Sequence, residues 1–171
     1  MVEGRALLML PVFANRDRAG RRGSTLLDSG APFYDTYETA DGRYVAVGAI
    51  EPQFYAALLA GLGLDPAGLP PQMDSASWPE MKERFAARFR TLSRDQWEER
   101  FAGTDGCVTP VLELSEVDDH PHNRARASFA EVGGVVQPAA APRLSATPGR
   151  PGGTPPEPGA HTEEVVAEWL E

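Results

Sequence analysis

Few side chains in this sequence are of the types that do chemistry, and their spacing tells them apart. Glu51 stands between Ile50 and Pro52, where the β-prone run Tyr44-Val45-Ala46-Val47 gives way to a helical spacing. A carboxylate at a strand-to-helix junction can orient an imidazole or move a proton. The competing role is a helix N-cap, which Glu fills less well than Asp or Ser, so the residue type favours chemistry. His120-Pro121-His122 beside Asp118 and Asp119 has metal-ligand types. The two His are only two residues apart on a predicted loop and only acidic residues could complete a sphere, so they read as solvated loop residues with no metal. Arg16, Arg18, Arg21 and Arg22 make the one basic cluster. Without a Gly-rich strand-to-helix turn to supply backbone amides, it reads as a solvated connector rather than a phosphate site. Lys82 is the single Lys of the chain, in an Arg- and Glu-rich helix that looks exposed, which discounts Schiff-base chemistry. Cys107 is the single Cys, so neither an internal disulfide nor a cysteine metal cluster is expected. No G-x-S-x-G, H-E-x-x-H or Walker pattern occurs.

The remainder of the chain must position these groups. Its 171 residues are 42% apolar, enough to bury a core in one domain of ordinary size. With 25 acidic against 16 basic residues the formal net charge is -9, which opposes attraction to nucleic acid or an anionic membrane surface. Ala6 to Ala14 is almost wholly apolar, but Glu3 spoils a signal-peptide start, Pro11 interrupts the run, and it falls far short of the roughly 18 to 20 residues of a membrane span. An amphipathic or core helix ending near Pro11 to Asn15, in a cytoplasmic protein, is the expectation.

From Pro32 to Ile50 the apolar period is two, with Asp41-Gly42 between the runs, which predicts a hairpin whose turn uses positive φ at both residues. Pro52 opens a helix carrying Phe54, Tyr55, Leu58, Leu59 and Leu62 on its apolar side, ended by Gly61 or Gly63. Asp65 to Gln72 reads as a Pro/Gly turn, Trp78 to Leu92 as an amphipathic helix, and Ser93 with Gln96 as a capping box opening a helix from Arg94 to Phe101. Cys107 to Leu112 is a short strand placed at an edge by Pro110. Ser115 should cap another short helix, Phe129 to Val136 should hold one or two strands around Gly133-Gly134, and Thr162 should cap a final helix bearing Val165, Val166 and Trp169. Between Gln137 and Ala160 seven prolines and four glycines make an extended connector.

Five separated blocks carry a resemblance. Asp28-Ser29-Gly30-Ala31-Pro32-Phe33-Tyr34, Thr39-Ala40-Asp41-Gly42, Gly48-Ala49-Ile50-Glu51-Pro52-Gln53-Phe54-Tyr55, Trp78-Pro79-Glu80-Met81 and Gly103-Thr104-Asp105-Gly106-Cys107-Val108-Thr109-Pro110-Val111 occur in the order seen in α-methylacyl-CoA racemases, of the family III CoA-transferase superfamily. Gly159-Ala160-His161-Thr162-Glu163-Glu164 extends the resemblance to the final helix. The block around Glu51 has the racemase form, whereas Thr39-Ala40-Asp41-Gly42 is shared with the true CoA transferases.

The resemblance implies an α+β small domain, a β-hairpin and short strands packed with helices, over residues 25–137. A truncated helix and connector would precede it over 1–24, a Pro/Gly-rich linker would follow over 138–160, and residues 161–171 would form a C-terminal helix. Family chains are about twice as long, and their Rossmann-like large domain, which holds the CoA, has no counterpart here. The reaction implied inverts the carbon α to a CoA thioester, using a His and an Asp that both lie in that missing half. Glu51 is implied as the supporting carboxylate that reaches a His of another chain in an interlocked dimer, with Ile50, Thr109 and Pro110 as substrate-binding residues. No cofactor is implied, since the CoA thioester is the substrate. The partners are then acyl-CoA, through a large domain outside this chain, and a homo- or hetero-oligomer, with neither nucleic acid nor membrane. The chain alone is expected to be inactive. Half of a split enzyme, a non-catalytic module docking on an acyl-CoA enzyme, and a CoA transferase are the alternatives.

Overall fold

The computed structural model describes residues 2–14 and 21–170. Arg16 and Arg18 of the basic cluster lie outside the described residues. The chain divides into two compact units, residues 1–111 and 112–171.

In the first unit, helices α1 (Val2–Leu8) and α2 (Leu10–Ala14) come first, and α1 buries no residue. Strands β1 (Tyr34–Glu38) and β2 (Tyr44–Gly48) then form the expected antiparallel hairpin. The connection runs from Thr39 to Arg43 and only Gly42 takes positive φ, +73°, so the paired positive-φ turn expected at Asp41-Gly42 does not form. Asp41 is instead engaged from outside the hairpin, because its carboxylate accepts from the backbone N–H of Arg94, at 3.2 Å and 3.4 Å, as well as from the Thr39 hydroxyl. Those bonds hold its charge on at lower pH than an ordinary carboxylate, the Thr39 hydroxyl contributing most.

Helix α3 (Pro52–Leu62) starts on proline and stops at Gly63, whose φ of +67° is the left-handed cap geometry that favours glycine. Helix α4 (Trp78–Phe89) is shorter than the expected run to Leu92. Leu92 instead accepts a hydrogen bond from Ala40, and Ser93 turns extended to cap α5 (Arg94–Phe101) with the reciprocal Gln96 bond the sequence predicts. Strand β3 (Val108–Pro110) pairs antiparallel with β2, giving a three-stranded sheet in the order β1-β2-β3.

Strand alternation sends Tyr37, Val45, Val47 and Val108 to one face, where α4 packs on β1 and α5 on β2 and β3. The core there is aromatic: Tyr37 stacks on Phe89 at 5.0 Å, and Phe89 meets Trp97 edge-on at 5.1 Å. The Trp97 indole donates to the Phe89 carbonyl at 2.8 Å, so its one polar atom is satisfied. Thr36, Ala46 and Thr109, paired across the three strands, lie on the opposite face.

The second unit carries a short 3-10 turn (Leu114–Glu116), α6 (Pro121–Ala125), the hairpin β4 (Phe129–Val132) and β5 (Val135–Pro138), and α7 (Thr162–Leu170). Gly133 and Gly134, φ +59° and +78°, supply the two positive-φ residues of that tight turn. Ser115 does not cap a helix. Glu113 does, exchanging bonds with Glu116, because the turn begins two residues earlier than expected. Thr162 is likewise the first helical residue rather than the cap, since His161 supplies the first accepting carbonyl, to Val165.

Candidate functional site

The Glu51 junction is built by strand pairing that ends abruptly. Gly48 N–H donates to Cys107 O at 3.0 Å and Ala49 N–H to Phe33 O at 2.9 Å, continuing the sheet past β2. Ile50 then folds back, its N–H reaching Gly48 O at 3.2 Å, and Glu51 takes an extended φ of -71° and ψ of 144° before α3. Glu51 thus occupies the N-cap position, and its carbonyl accepts from Tyr55. Its side chain makes no capping bond and is exposed. The N-cap explanation for a carboxylate here therefore holds for the backbone and fails for the side chain.

Two neighbours define the junction further. Gln72, from the turn before α4, donates through Nε2 to Ile50 O at 2.8 Å and to Ala49 O at 3.3 Å, while its own backbone carbonyl accepts from Trp78 Nε1 at 2.9 Å. Nothing local in the sequence marks Gln72, because its partners lie 22 and 23 residues away. Cys107 takes φ +50°, and its thiol reaches Asp105 O at 3.5 Å. Burial first, then the negative charges of Glu51 and Asp105, push that thiol above its usual pKa. The sulfur is therefore held protonated and is a poor nucleophile.

The open face of the sheet forms a groove of about 450 Å³ whose walls include Ser29, Tyr34, Thr36, Gly48, Cys107 and Thr109. Thr109 lines this groove. Pro110 does not: it pairs with the buried Val45, so alternation turns it to the core side of the sheet. Ile50 is half-buried against the core at the end of β2. The Ser29 wall takes φ +67°, unusual for a residue with a side chain. Lys82 braces it, donating to Ser29 O at 2.5 Å and pairing with Asp35 at 2.5 Å. Lys82 is thus half-buried and engaged rather than exposed, which gives the single Lys a structural role.

Among the described residues no group of three or more His, Cys, Asp or Glu could hold a metal ion. None of the imidazoles of His120, His122 and His161 belongs to the unit that carries Glu51. Within residues 1–111 the site is a carboxylate with no capping bond, whose charge helps keep the Cys107 thiol neutral, and a groove with apolar and hydroxyl walls that Cys107 lines. Such an arrangement can accept a hydrogen bond from, and electrostatically support, a base it does not itself contain.

The CoA-transferase family III profile matches residues 1–162. The chain is 55% identical to mouse (Mus musculus) alpha-methylacyl-CoA racemase over 150 residues, covering 86% of this chain and 39% of the relative. It is 47% identical to the human (Homo sapiens) alpha-methylacyl-CoA racemase over 174 residues, covering 99% of this chain and 46% of the relative. A crystal structure of Rv3272 from M. tuberculosis superposes with a TM-score of 0.63 at 16% identity, over 92% of this chain and 42% of that one, a likeness of fold alone. The chain spans less than half the length of these relatives. With the family III profile covering nearly all of the sequence, and the hairpin, helices and Glu51 junction in place, the chain belongs to CoA-transferase family III.

Proposed function

We propose that this chain is the small-domain half of an acyl-CoA racemase or epimerase, which inverts the carbon α to a CoA thioester. The observation that carries this reading is the identity of 55% and 47% to two alpha-methylacyl-CoA racemases across most of the chain. The α-proton of a thioester is weakly acidic, so the reaction needs two acid/base groups on opposite faces of the carbon and stabilisation of the enolate between them. One group takes the proton as the electron pair moves into the thioester carbonyl, and the other returns a proton to the opposite face. This chain supplies neither group. Its contribution is the Glu51 carboxylate, which orients and raises the basicity of a His on a large domain, and a wall of the acyl site formed by Ile50 and Thr109. Acyl-CoA then binds through that large domain, and the working species is an oligomer, homo- or heteromeric.

The test is α-carbon exchange. Given a 2-methylacyl-CoA in D₂O, the chain alone should incorporate no deuterium above background. Mixed with a separately expressed N-terminal half from a relative of the same family, it should incorporate deuterium with inversion. In that mixture Glu51→Gln should lower kcat/KM by about tenfold or somewhat more, roughly 1.4 to 3 kcal/mol, and move its pH profile to lower pH as the His loses basicity. Exchange by the chain alone, or an E51Q mixture with unchanged rate and profile, would sink the reading.

A second reading, a non-catalytic docking module, has one observation in its favour: Leu7, Leu8 and Leu10 of the first two helices, and Trp169 and Leu170 of α7, are exposed apolar side chains. It is distinguished by a mixture that forms a stable complex and shows no exchange. No helix among the described residues is long and apolar enough to cross a membrane.

A further inference from the structure

The Glu51 carboxylate is exposed and has no capping bond to hold it, so whatever aims it must act through the backbone that carries it. Pro52 contributes its fixed φ but no N–H, and the junction turns sharply between Gly48 and Glu51. Within the junction, the carbonyls of Ala49 and Ile50 have lost the strand partners that β2 enjoyed, and both are taken up by one amide, Gln72 Nε2. Gln72 is itself tethered by the Trp78 indole, and Trp78 is buried against Phe33 with ring centroids 5.9 Å apart. A chain of contacts therefore runs from the aromatic core through Trp78 and Gln72 to the peptide immediately before Glu51.

We propose that Gln72 is a positioning residue for Glu51: its two hydrogen bonds to the Ala49 and Ile50 carbonyls fix the strand-to-helix junction that carries the Glu51 carboxylate, at the end of β2 where Gly48 pairs with Cys107 of the groove wall. The functional weight of this rests on the racemase reading above, while the positioning itself does not. Loss of the Gln72 donor frees the Ile50 peptide to rotate, and because Glu51 directly follows it, the carboxylate leaves its place although the fold survives. Gln72 touches neither substrate nor base and acts only through Glu51.

Cys107 supplies the reporter, since it is the one cysteine in the chain and lines the same groove. The experiment measures the rate of alkylation by iodoacetamide against pH for the wild-type chain, Glu51→Gln, Gln72→Met and the double variant. Met keeps the length of Gln and removes the donor. Far-UV circular dichroism and a cooperative melt establish that each variant is folded. Removing the Glu51 charge should make the thiol easier to ionise and move the profile to lower pH. Gln72→Met should give most of that shift, and in the Glu51→Gln background it should add nothing.

An equal Gln72→Met shift in both backgrounds would mean that the residue only shields the thiol, and would overturn the proposal. So would a Gln72→Met profile matching wild type, or a Glu51→Gln variant that leaves the thiol unmoved, because the carboxylate would then not be held beside it. If Gln72→Met fails to fold, Trp78→Phe, which removes only the indole donor that tethers Gln72, carries the same expectation with a smaller shift, and an unmoved thiol there counts against the proposal. Failure of the racemase reading looks different: the thiol cycle closes as expected, while E51Q with an N-terminal half keeps its full exchange rate.

Discussion

Substituting Gly61 by Ala sets two well-characterised effects against each other. Gly61 lies one residue from the end of α3, in ordinary helical geometry, so the propensity effect alone predicts a gain of about 1 kcal/mol. Packing predicts the reverse. A Cβ at position 61 would overlap the Cε1 and Cζ atoms of the Phe101 ring, and the ring cannot move away freely. On its other side, a Cβ at Gly106 would stand 2.5 Å and 2.6 Å from the same ring, so Phe101 occupies a slot between two glycines. Phe101 is 4% exposed and also packs on Trp97, leaving little direction for retreat. Overpacking in such a place costs about 1 to 3 kcal/mol, and with both sides closed the upper end applies, so the net loss is about 2 kcal/mol.

For a unit of this size that loss corresponds to a fall in Tm of roughly 8 to 16 °C. The assay is thermal and urea unfolding of four proteins: wild type, Gly61→Ala, Phe101→Leu and the pair. In the Phe101→Leu background the ring is gone, and Gly61→Ala should become neutral or stabilising, a coupling of about 2 to 3 kcal/mol. A Gly61→Ala variant that melts above wild type would refute the slot, as would a cycle additive to within about 0.5 kcal/mol. The slot also matters to the site, because Phe101 closes α5 onto the turn that leads to Cys107. Gly61→Ala should therefore raise the alkylation rate of Cys107 at fixed pH, as the turn is pushed from its place.

Three further outcomes follow from the same structure. Trp97→Phe keeps an aromatic ring in the core but strips the Phe89 carbonyl of its 2.8 Å indole donor, and should cost about 1 to 3 kcal/mol in urea unfolding. Asp41→Asn should lower the Tm at neutral pH, since a carboxylate ionised more readily in the folded chain lends stability above its unfolded pKa and loses it as pH falls through the folded one. The gap between variant and wild type should therefore close on acidification below the carboxylate range, and a gap that stays constant throughout that descent would remove Asp41 from that role. The exposed apolar residues of α1 and α7 should make the isolated chain self-associate at tens of micromolar, and a strictly monomeric species by light scattering, with no dye binding to apolar surface, would count against their role as docking faces.

What the sequence reveals in advance is what short-range physics decides. The capping box from Ser93 to Gln96 and the Pro52 start of α3 with its left-handed stop at Gly63 each depend on residues within one helix end. The Gly133-Gly134 hairpin is equally local. Asp41 shows where such reasoning stops. Its type and its neighbour Gly42 suit a tight turn, and no local feature reveals that its carboxylate is wanted 53 residues later at the amide of Arg94. The α4 boundary fails for the same reason, since Leu92 carries on an apolar pattern but is claimed by Ala40 from the hairpin loop. At the candidate site, Glu51 is visible as a residue type at an informative position, whereas Thr109 and Pro110 enter only through the family resemblance, and which face of the sheet each takes is known only from the register with Ala46 and Val45.

Glu51 itself shows how a junction can leave a carboxylate unspent on capping. A helix start needs its first amides and the turn before it satisfied, and Asp, Ser or Asn would commit the cap side chain to those amides. Here Pro52 removes one of the amides outright, and Gln72 secures the preceding carbonyls from outside the helix. Glu, a weak cap with a longer reach, keeps its carboxylate off the helix amides. Beside it, burial and the nearby negative charge keep the Cys107 thiol neutral, so the sulfur neither competes as a base nor adds a second charge against a proton acceptor brought to the groove. A carboxylate so arranged suits a partner that arrives as an imidazole from elsewhere, and a variant that restored the cap should show it. Glu51→Asp, a better cap with a shorter reach, should hold or raise the Tm while lowering exchange in the complemented enzyme, and a variant that kept both would mean that reach is not what the position requires.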